Sequence, residues 1–254
     1  MKIFRYVFIY FCVTTIFSCS TKKEILYVQN ISSQDTYSYE FIEYQIKTDD
    51  ILKIDVNSEI PEAATAFNPM GIGANLSDKT SMLYNGYQVN NEGYINFPSI
   101  GEIKVQDLTI SQIRELIYDT IVKSGILINP SVDVKIINSH FTILGEVSMP
   151  GRYEYLKNNM NILEAIGMAG DLNITGKRSD IKLIRDIKGK KSVYNIDITD
   201  KNILLNNAYQ IFSGDIIIVN PNTTRVKNAG VIGNSGTLLS LLSFLLTSII
   251  VINN

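Results

Sequence analysis

Two helix-start signals, each placed between strand-like segments, limit this chain to a small set of folds. Thr109 and Asn161 are each followed three residues later by Gln or Glu, which is the spacing of a capping box. Apolar residues then recur at helical spacing until Gly125 ends the first pattern and Gly170 ends the second. Because each helix lies among strands rather than among other helices, the sequence predicts the α+β class.

The segments around both helices have the patterns of strands and turns. Residues 132–136 alternate between apolar and charged, as a half-buried strand does. Two apolar runs flank the basic segment 188–191 and predict a hairpin. Prolines and glycines interrupt residues 58–88 and predict an irregular insertion. We therefore expect two small α+β domains in series, at residues 44–137 and 138–222.

The first residues have the order of a bacterial export signal. Lys2 and Arg5 precede an apolar stretch that is too short to span a bilayer as a helix. The stretch ends in Ile-Phe-Ser-Cys, which resembles the lipobox of bacterial lipoproteins. Residues 1–18 are therefore predicted to be a signal peptide and Cys19 the site of lipid attachment, followed by a polar tether at residues 19–43. An uncleaved membrane anchor with a buried cysteine is the alternative.

The other end of the chain carries a long, uncharged apolar run. As a helix, residues 231–252 would be roughly 33 Å long, enough to cross the hydrocarbon layer of a membrane. We therefore predict a C-terminal transmembrane or amphipathic helix within residues 223–254. Small and hydroxyl-bearing residues share one stripe of this helix, which suits the lumen of a ring of copies. In a lone anchor, the same hydroxyls would bond back to their own helix. The stripe consists of Gly236, Ser240, Ser243 and Thr247.

Little in the sequence indicates catalysis. His140 is the single histidine, and no serine or cysteine lies in a recognised nucleophile motif. Neither a metal nor a cofactor is expected, because the sequence has no His and Cys cluster and no calcium-loop pattern. Carboxylates are numerous, so the spacing leaves a glycosidase pair open. With a formal net charge of −2, nucleic acid is not an expected partner.

One basic cluster contrasts with this mildly acidic composition. It lies on and beside the tip of the predicted hairpin, where an acidic partner surface or an anionic glycan could contact it. A face of solvated lysines is the alternative interpretation. The cluster consists of Lys182, Arg185, Lys188, Lys190 and Lys191.

Several segments, in their order along the chain, resemble a known family. Residues 44–56, YQIKTDDILKIDV, and 93–101, GYINFPSIG, are similar to the opening of the polysaccharide export domain, as is the strand at 129–134. LGEV at 144–147 and GDIIIV at 214–219 resemble a soluble-ligand-binding β-grasp domain. The chain is thus similar to outer-membrane polysaccharide export proteins of the Wza type.

This resemblance implies an architecture and a set of partners. Lipidated subunits of that family assemble as a homo-oligomeric ring in the outer membrane, with periplasmic domains around a cavity and C-terminal helices around the exit. It implies transport of capsular polysaccharide or exopolysaccharide delivered by an inner-membrane co-polymerase, with no cofactor and no enzymatic activity. Two alternatives stay open: a monomeric lipid-anchored module for glycan binding or adhesion, and a periplasmic enzyme that cleaves polysaccharide.

Overall fold

The computed structural model describes residues 22–68, 83, 85–228 and 235–252. Within these residues the chain forms two α+β domains in series, as predicted. The short segment 137–139 joins the last strand of the first domain to the first strand of the second. Each domain surrounds an apolar core of its own, so each buries its hydrophobic residues largely by itself.

The described residues of the first domain form five strands. They are β1 (Ile51–Asn57), β2 (Tyr87–Gln88), β3 (Tyr94–Phe97), β4 (Gly101–Lys104) and β5 (Ser131–Ile136). An antiparallel sheet has the order β2-β1-β5, and β3 and β4 form a separate hairpin. Every second residue of β1 is buried, so one face of this central strand lies on the core.

One long helix, Ile110–Ser124, covers the core of the first domain. The Thr109 hydroxyl accepts a hydrogen bond from the backbone N–H of Gln112, and the Gln112 side chain accepts one from the N–H of Thr109. At the other end Gly125 has a φ of +70°, which a side chain would disfavour. The capping box and the glycine stop are therefore confirmed. The fully buried face of the helix consists of Ile113, Ile117 and Ile121.

Seven strands form the second domain. They are β6 (His140–Gly145), β7 (Gly151–Glu154), β8 (Met160–Asn161), β9 (Gly176–Ile187), β10 (Lys190–Ile196), β11 (Gln210–Ile211) and β12 (Asp215–Pro221). The main sheet has the order β10-β9-β12-β6-β7, and β8 pairs with β11 in a small ribbon. Its first and last strands, β6 and β12, are parallel neighbours at the centre of the sheet. Together with the short helix Ile162–Met168, this is the predicted β-grasp arrangement.

The predicted hairpin of the second domain is confirmed. Strands β9 and β10 pair in antiparallel register, with Ile187 opposite Lys190. The two residues between them, Lys188 and Gly189, both have positive φ, as two-residue hairpin turns require. The basic tip is therefore a tight turn at one edge of the sheet.

Residues 22–43, called the arm here, lie along the second domain before the chain enters the first. The backbone N–H groups of Val28 and Gln29 donate to Ile198 O at 2.8 Å and Thr199 O at 2.7 Å. Tyr39 packs edge-on against Tyr209 with ring centroids 5.9 Å apart. The polar segment that the sequence predicts to be a tether thus makes specific contacts with a domain that follows much later in the chain.

The predicted irregular insertion contains some regular structure. A short helix, Pro61–Ala64, and a 3-10 turn, Thr65–Phe67, follow β1. The Asn68 side chain then accepts a hydrogen bond from Val56 N at 3.0 Å and donates one to Val56 O at 2.7 Å. These bonds fasten the start of the insertion to β1, while residues 69–82 and 84 lie outside the described residues.

The prediction of a C-terminal transmembrane helix needs correction. A short helix, Thr223–Asn228, is followed by a terminal helix, Ser235–Ile252, of 18 residues. In the part of the chain that the structure describes, no helix combines the length and the apolar character needed to cross a membrane.

Candidate functional site at the junction of the two domains

The junction between the domains is fixed by side chains from both of them. Asn138, in the linker, accepts a hydrogen bond from Ile51 N at 2.9 Å and donates one to Asp49 O at 2.8 Å. Across the junction, Lys47 Nζ donates to Asp186 O at 3.1 Å. These bonds connect the turn before β1 to the linker and to β9, so they set how the two domains meet.

Gln210 holds the arm at this junction. Its side chain is 4% exposed, accepts a hydrogen bond from Ile42 N at 3.2 Å and donates one to Ile42 O at 2.8 Å. The next arm residue, Glu43, accepts a hydrogen bond from the Ser111 hydroxyl at 2.7 Å, at the start of helix Ile110–Ser124. The arm therefore bridges the second domain and the first.

A buried ion pair lies in the second domain, next to the junction. Arg185 Nη2 is 2.7 Å from Asp215 Oδ2, and Arg185 Nε donates to Asp215 Oδ1 at 3.0 Å. The guanidinium also donates to Gln210 O at 2.6 Å and lies 4.2 Å from the centroid of the Phe212 ring. Phe212 in turn packs edge-on against Tyr44 of the first domain, with centroids 5.9 Å apart. The ion pair thus supports an aromatic contact between the domains.

Arg185 does not belong to the partner-contacting surface that the sequence predicts. It lies on the core-facing side of β9 and is 5% exposed. The carboxylate of Asp215, on the adjacent strand β12, compensates its charge there. The remaining members of the predicted cluster are exposed, and one of them, Lys191, pairs with Asp186 at 2.7 Å. These exposed lysines are Lys182, Lys188, Lys190 and Lys191.

A second buried carboxylate, Asp50, lies at the junction and is 6% exposed. It accepts hydrogen bonds from Lys47 N at 2.8 Å and from the Tyr44 hydroxyl at 3.4 Å. Burial raises the pKa of Asp50 despite these bonds and the nearby charges of Lys47 and His140. Burial also raises the pKa of the Tyr44 and Tyr155 phenols, so both remain neutral hydrogen-bond donors.

We expect the free energy of unfolding of the Asp50→Asn variant to rise, relative to that of the natural protein, as the pH rises from 4 to 7. Because the pKa of Asp50 is raised above its ordinary 3.8 in the folded chain, the folded state keeps a proton that the unfolded state has lost. The natural protein therefore loses stability as the pH rises above that ordinary value, whereas a neutral amide does not. Urea unfolding of both proteins at pH 4, 5.5 and 7 measures the difference.

The exposed neighbour Asp49 supplies the control for this prediction. Asp49→Asn also removes one carboxylate from this turn, but the carboxylate of Asp49 is exposed. If the free energy of unfolding, relative to the natural protein, changed equally with pH in Asp49→Asn and Asp50→Asn, the effect could not be assigned to the burial of Asp50.

An open pocket lies at the same junction. Its volume is about 100 Å³, below the range of roughly 300–1,000 Å³ for small-molecule sites. Aromatic side chains of the arm and of both domains form its walls, and a carboxylate, a guanidinium and an amide line it as well. Aromatic faces and polar groups of this kind can contact a sugar ring at the mouth of the pocket. The aromatic residues are Phe41, Tyr44, Tyr155 and Phe212, and the polar residues include Glu43, Arg114 and Asn158.

The single histidine lies next to this pocket but belongs to the linker contacts. His140 Nδ1 is 3.1 Å from Asn138 O. Among the residues that the structure describes, no three His, Cys, Asp or Glu side chains are grouped to hold a metal ion. The contact with Asn138 places His140 among the bonds that join the two domains.

The other predicted site residues lie away from the junction. Gly236, Ser240, Ser243 and Thr247 lie on one stripe of helix Ser235–Ile252. Ser243 Oγ donates to Ser240 O at 2.9 Å and Thr247 Oγ1 donates to Ser243 O at 2.7 Å, the back-bonding expected of a lone anchor. Such bonds leave the outward direction of the stripe available to a partner. Cys19 and the predicted signal peptide lie outside the described residues.

Sequence reasoning missed most of the residues that build the junction. Gln210 and Ile42 are 168 residues apart, and no local pattern connects them. Arg185, in contrast, could have been recognised, because it continues the alternation of the apolar residues Ile181 and Leu183 along β9. An arginine at a core-facing position predicts a buried carboxylate partner.

The chain is thus a two-domain α+β protein, and its first domain leads directly into a β-grasp domain. Residues 40–137 match the family described as polysaccharide biosynthesis/export protein, and residues 139–219 match the SLBB domain. The two matches meet at the junction described above. Residues 40–137 thus belong to the polysaccharide export family, whose members are transport components and not enzymes, and residues 139–219 form an SLBB domain.

Two relatives have the same printed description, EPS I polysaccharide export outer membrane protein EpsA. The protein of Ralstonia solanacearum is 30% identical over 187 residues, which cover 70% of this chain and 48% of the relative. The protein of Ralstonia nicotianae is 32% identical over 149 residues, which cover 56% of this chain and 38% of the relative. The chain thus spans about half the length, or less, of the curated relatives it matches.

Proposed function

We propose that this chain is an outer-membrane subunit of a machine that exports capsular polysaccharide or exopolysaccharide. The observation that carries the proposal is the ordered pair of family matches, which together span residues 40–219 and meet at the built junction. The names of the two Ralstonia relatives, which refer to polysaccharide export and to the outer membrane, support it.

The proposal includes an assembly and an anchor. The subunit is lipidated at Cys19, assembles as a homo-oligomeric ring with most of its mass in the periplasm, and receives polysaccharide from an inner-membrane co-polymerase. In the ring, the stripe of helix Ser235–Ile252 faces the lumen. Small and hydroxyl-bearing side chains suit a hydrated lumen, because they keep it wide and can bond to water and to sugar hydroxyls.

Deletion of the gene tests the proposed export function. A deletion strain should lose surface polysaccharide while polysaccharide accumulates inside the cell envelope, and the full chain supplied in trans should restore it. Normal surface polysaccharide in the deletion strain would sink the proposal. Loss of polysaccharide both inside and outside would also contradict it, because synthesis rather than export would then have failed.

A monomeric, lipid-anchored module for glycan binding or adhesion is the second candidate. The aromatic walls of the junction pocket favour it, since Phe41 and Tyr155 can stack on a sugar ring without any assembly. The size of the particle extracted in detergent separates the two candidates. A ring gives a particle several times the mass of one chain, and the module gives a single chain.

Replacement of Cys19 by alanine should abolish lipid attachment. Because stable membrane binding generally takes two signals, loss of the lipid should release much of the protein from the outer-membrane fraction. Metabolic labelling with a clickable fatty acid, followed by fractionation, measures both effects. Cys12→Ala is the matched control, because this cysteine lies within the predicted signal peptide and its loss should leave the label unchanged. Equal label on Cys19→Ala and on the natural protein would refute the assignment.

Charge reversal at the hairpin tip tests the partner-contacting surface. We expect Lys188→Glu combined with Lys190→Glu to reduce surface polysaccharide several-fold and to weaken co-purification of the inner-membrane partner in low salt. Lys191 is left in place because it already pairs with Asp186. Reversal of Lys123 and Lys135, both exposed on the first domain, changes the charge equally and is the control. If both double variants export normally, the hairpin lysines are a solvated face.

A further inference from the structure

The arm begins at one end of the second domain, beside strand β9. The 3-10 turn Lys22–Glu24 starts the described chain, and Gln29 Nε2 holds the arm there by donating to Lys23 O at 2.6 Å and Leu26 O at 3.0 Å. An open cleft of about 600 Å³ lies between this turn, the start of β9 and the end of β12. Its lining includes Glu24, Ile25, Ile174, Lys177, Asn222 and Val226.

Large aliphatic side chains are exposed around this cleft. Ile174 is 66% exposed and Val226 is 59% exposed, and the half-buried Ile25 lines the cleft with them. They come from three separate segments of the chain, so no single helix or strand pattern accounts for their grouping. Isolated exposed aliphatic residues are ordinary, but a group around one concave surface indicates a contact surface.

Long basic side chains surround the same end of the domain. Lys23, Lys177 and Arg225 are exposed. Two of them are partly balanced, since Lys177 pairs with Asp180 and Arg225 pairs with Glu146, each at 3.2 Å. Long aliphatic stems with charged tips are suited to an interface between an apolar layer and water. The charges are nearly balanced, so the apolar contact rather than net attraction carries the interaction.

The short segment between Cys19 and Lys22 indicates which partner covers this end of the second domain. Cys19 precedes Lys22 by three residues, and three residues of extended chain span at most about 11 Å. A lipid on Cys19 therefore begins within about 11 Å of the turn at Lys22. Any membrane that holds this lipid lies close to the exposed aliphatic residues around the cleft.

We propose that this end of the second domain rests on the phospholipid surface of the membrane, with Ile25, Ile174 and Val226 in contact with the lipid boundary. The inference rests on the lipid attachment and the outer-membrane location proposed above. The first domain is then held away from the membrane, because Lys47 of that domain contacts Asp186 near the end of β9, whereas the cleft lies at the start of this strand. The partner is a phospholipid layer and not a second copy of the chain.

A lipid-quenching measurement tests this surface directly. The full-length protein is prepared with Ile174→Cys or with Ile128→Cys, labelled with a thiol-reactive fluorophore, and reconstituted into phosphatidylethanolamine and phosphatidylglycerol vesicles that contain nitroxide-labelled lipid. Ile128 is 85% exposed in the first domain, so it controls for apolar exposure alone. We expect nitroxide lipid to quench the label at position 174 several-fold more than the label at position 128.

Several outcomes overturn the inference. Equal quenching at both positions means that apolar exposure, not the position of this end, determines contact with lipid. No quenching at position 174, or crosslinking of that label to a second copy, means that something other than lipid covers the surface. Both variants are also scored for surface polysaccharide in the deletion strain. Normal export without quenching removes the membrane contact and leaves the proposed function in place.

Discussion

Replacing Arg185 with alanine is expected to lower the free energy of unfolding by about 3–5 kcal/mol, because it leaves the buried carboxylate of Asp215 without its partner. The side chains of Arg185 and Asp215 are 6% and 1% exposed, so water cannot replace the lost hydrogen bonds. The variant also loses the donor to Gln210 O and the cation that lies over Phe212. Urea unfolding of the full-length protein measures the change.

Two controls separate the buried charge from other effects of the substitution. Lys191→Ala breaks the exposed pair with Asp186, and we expect it to cost no more than about 1 kcal/mol. The double variant Arg185→Met with Asp215→Leu removes both charges and should be much closer to the natural protein than Arg185→Ala is. If Arg185→Ala changed stability no more than Lys191→Ala, the ion pair would not be an important support of the junction.

The second large effect is expected in export. Simultaneous replacement of Ser240, Ser243 and Thr247 by leucine should reduce surface polysaccharide many-fold at an equal amount of protein. In a ring, three bulky apolar groups per subunit would narrow and dry the lumen, which a hydrated glycan must cross. The three side chains are exposed in the single chain, so the substitutions disturb no core. Surface polysaccharide is measured on intact cells, with the protein level matched by immunoblot.

The matched control for this prediction is the triple alanine variant at the same positions. It removes the hydroxyls and their back-bonds to the helix but keeps the stripe small, so it should retain most of the export. Normal export by the triple leucine variant would refute the lumen-facing assignment and favour a simple anchor. Equal loss in both variants would mean that the hydroxyls, and not the width of the lumen, matter.

The junction also connects stability with the proposed function. Phe212 contacts the Arg185 guanidinium on the second domain and Tyr44 on the first, so weakening the ion pair should loosen the contact between domains. In a ring, such loosening would be repeated in every subunit. Export in the Arg185 variants is therefore best scored beside their stability, since a loss of export in the stable double variant would indicate a requirement for the rigid junction itself.

Local patterns in the sequence determined the domains and most of their elements. The two capping boxes, the glycine stop at Gly125 and the tight turn at Lys188 each depend on groups within a few residues of one another. The family resemblance depended on similar short segments, and it was confirmed by the matches to both domains. The prediction of a C-terminal transmembrane helix was wrong for the described residues, although a terminal helix is present at Ser235–Ile252.

The tertiary structure alone decided which contacts are made by residues of the same chemical type. Within the basic cluster, only the packing of β9 against β12 places Arg185 beside Asp215 while the neighbouring lysines remain in solvent. The bond between Gln210 and Ile42, and the convergence of Ile25, Ile174 and Val226, join segments far apart in the sequence. Hydrophobic periodicity encodes which face of an element is buried, but the partner of that face depends on the closure of the whole chain.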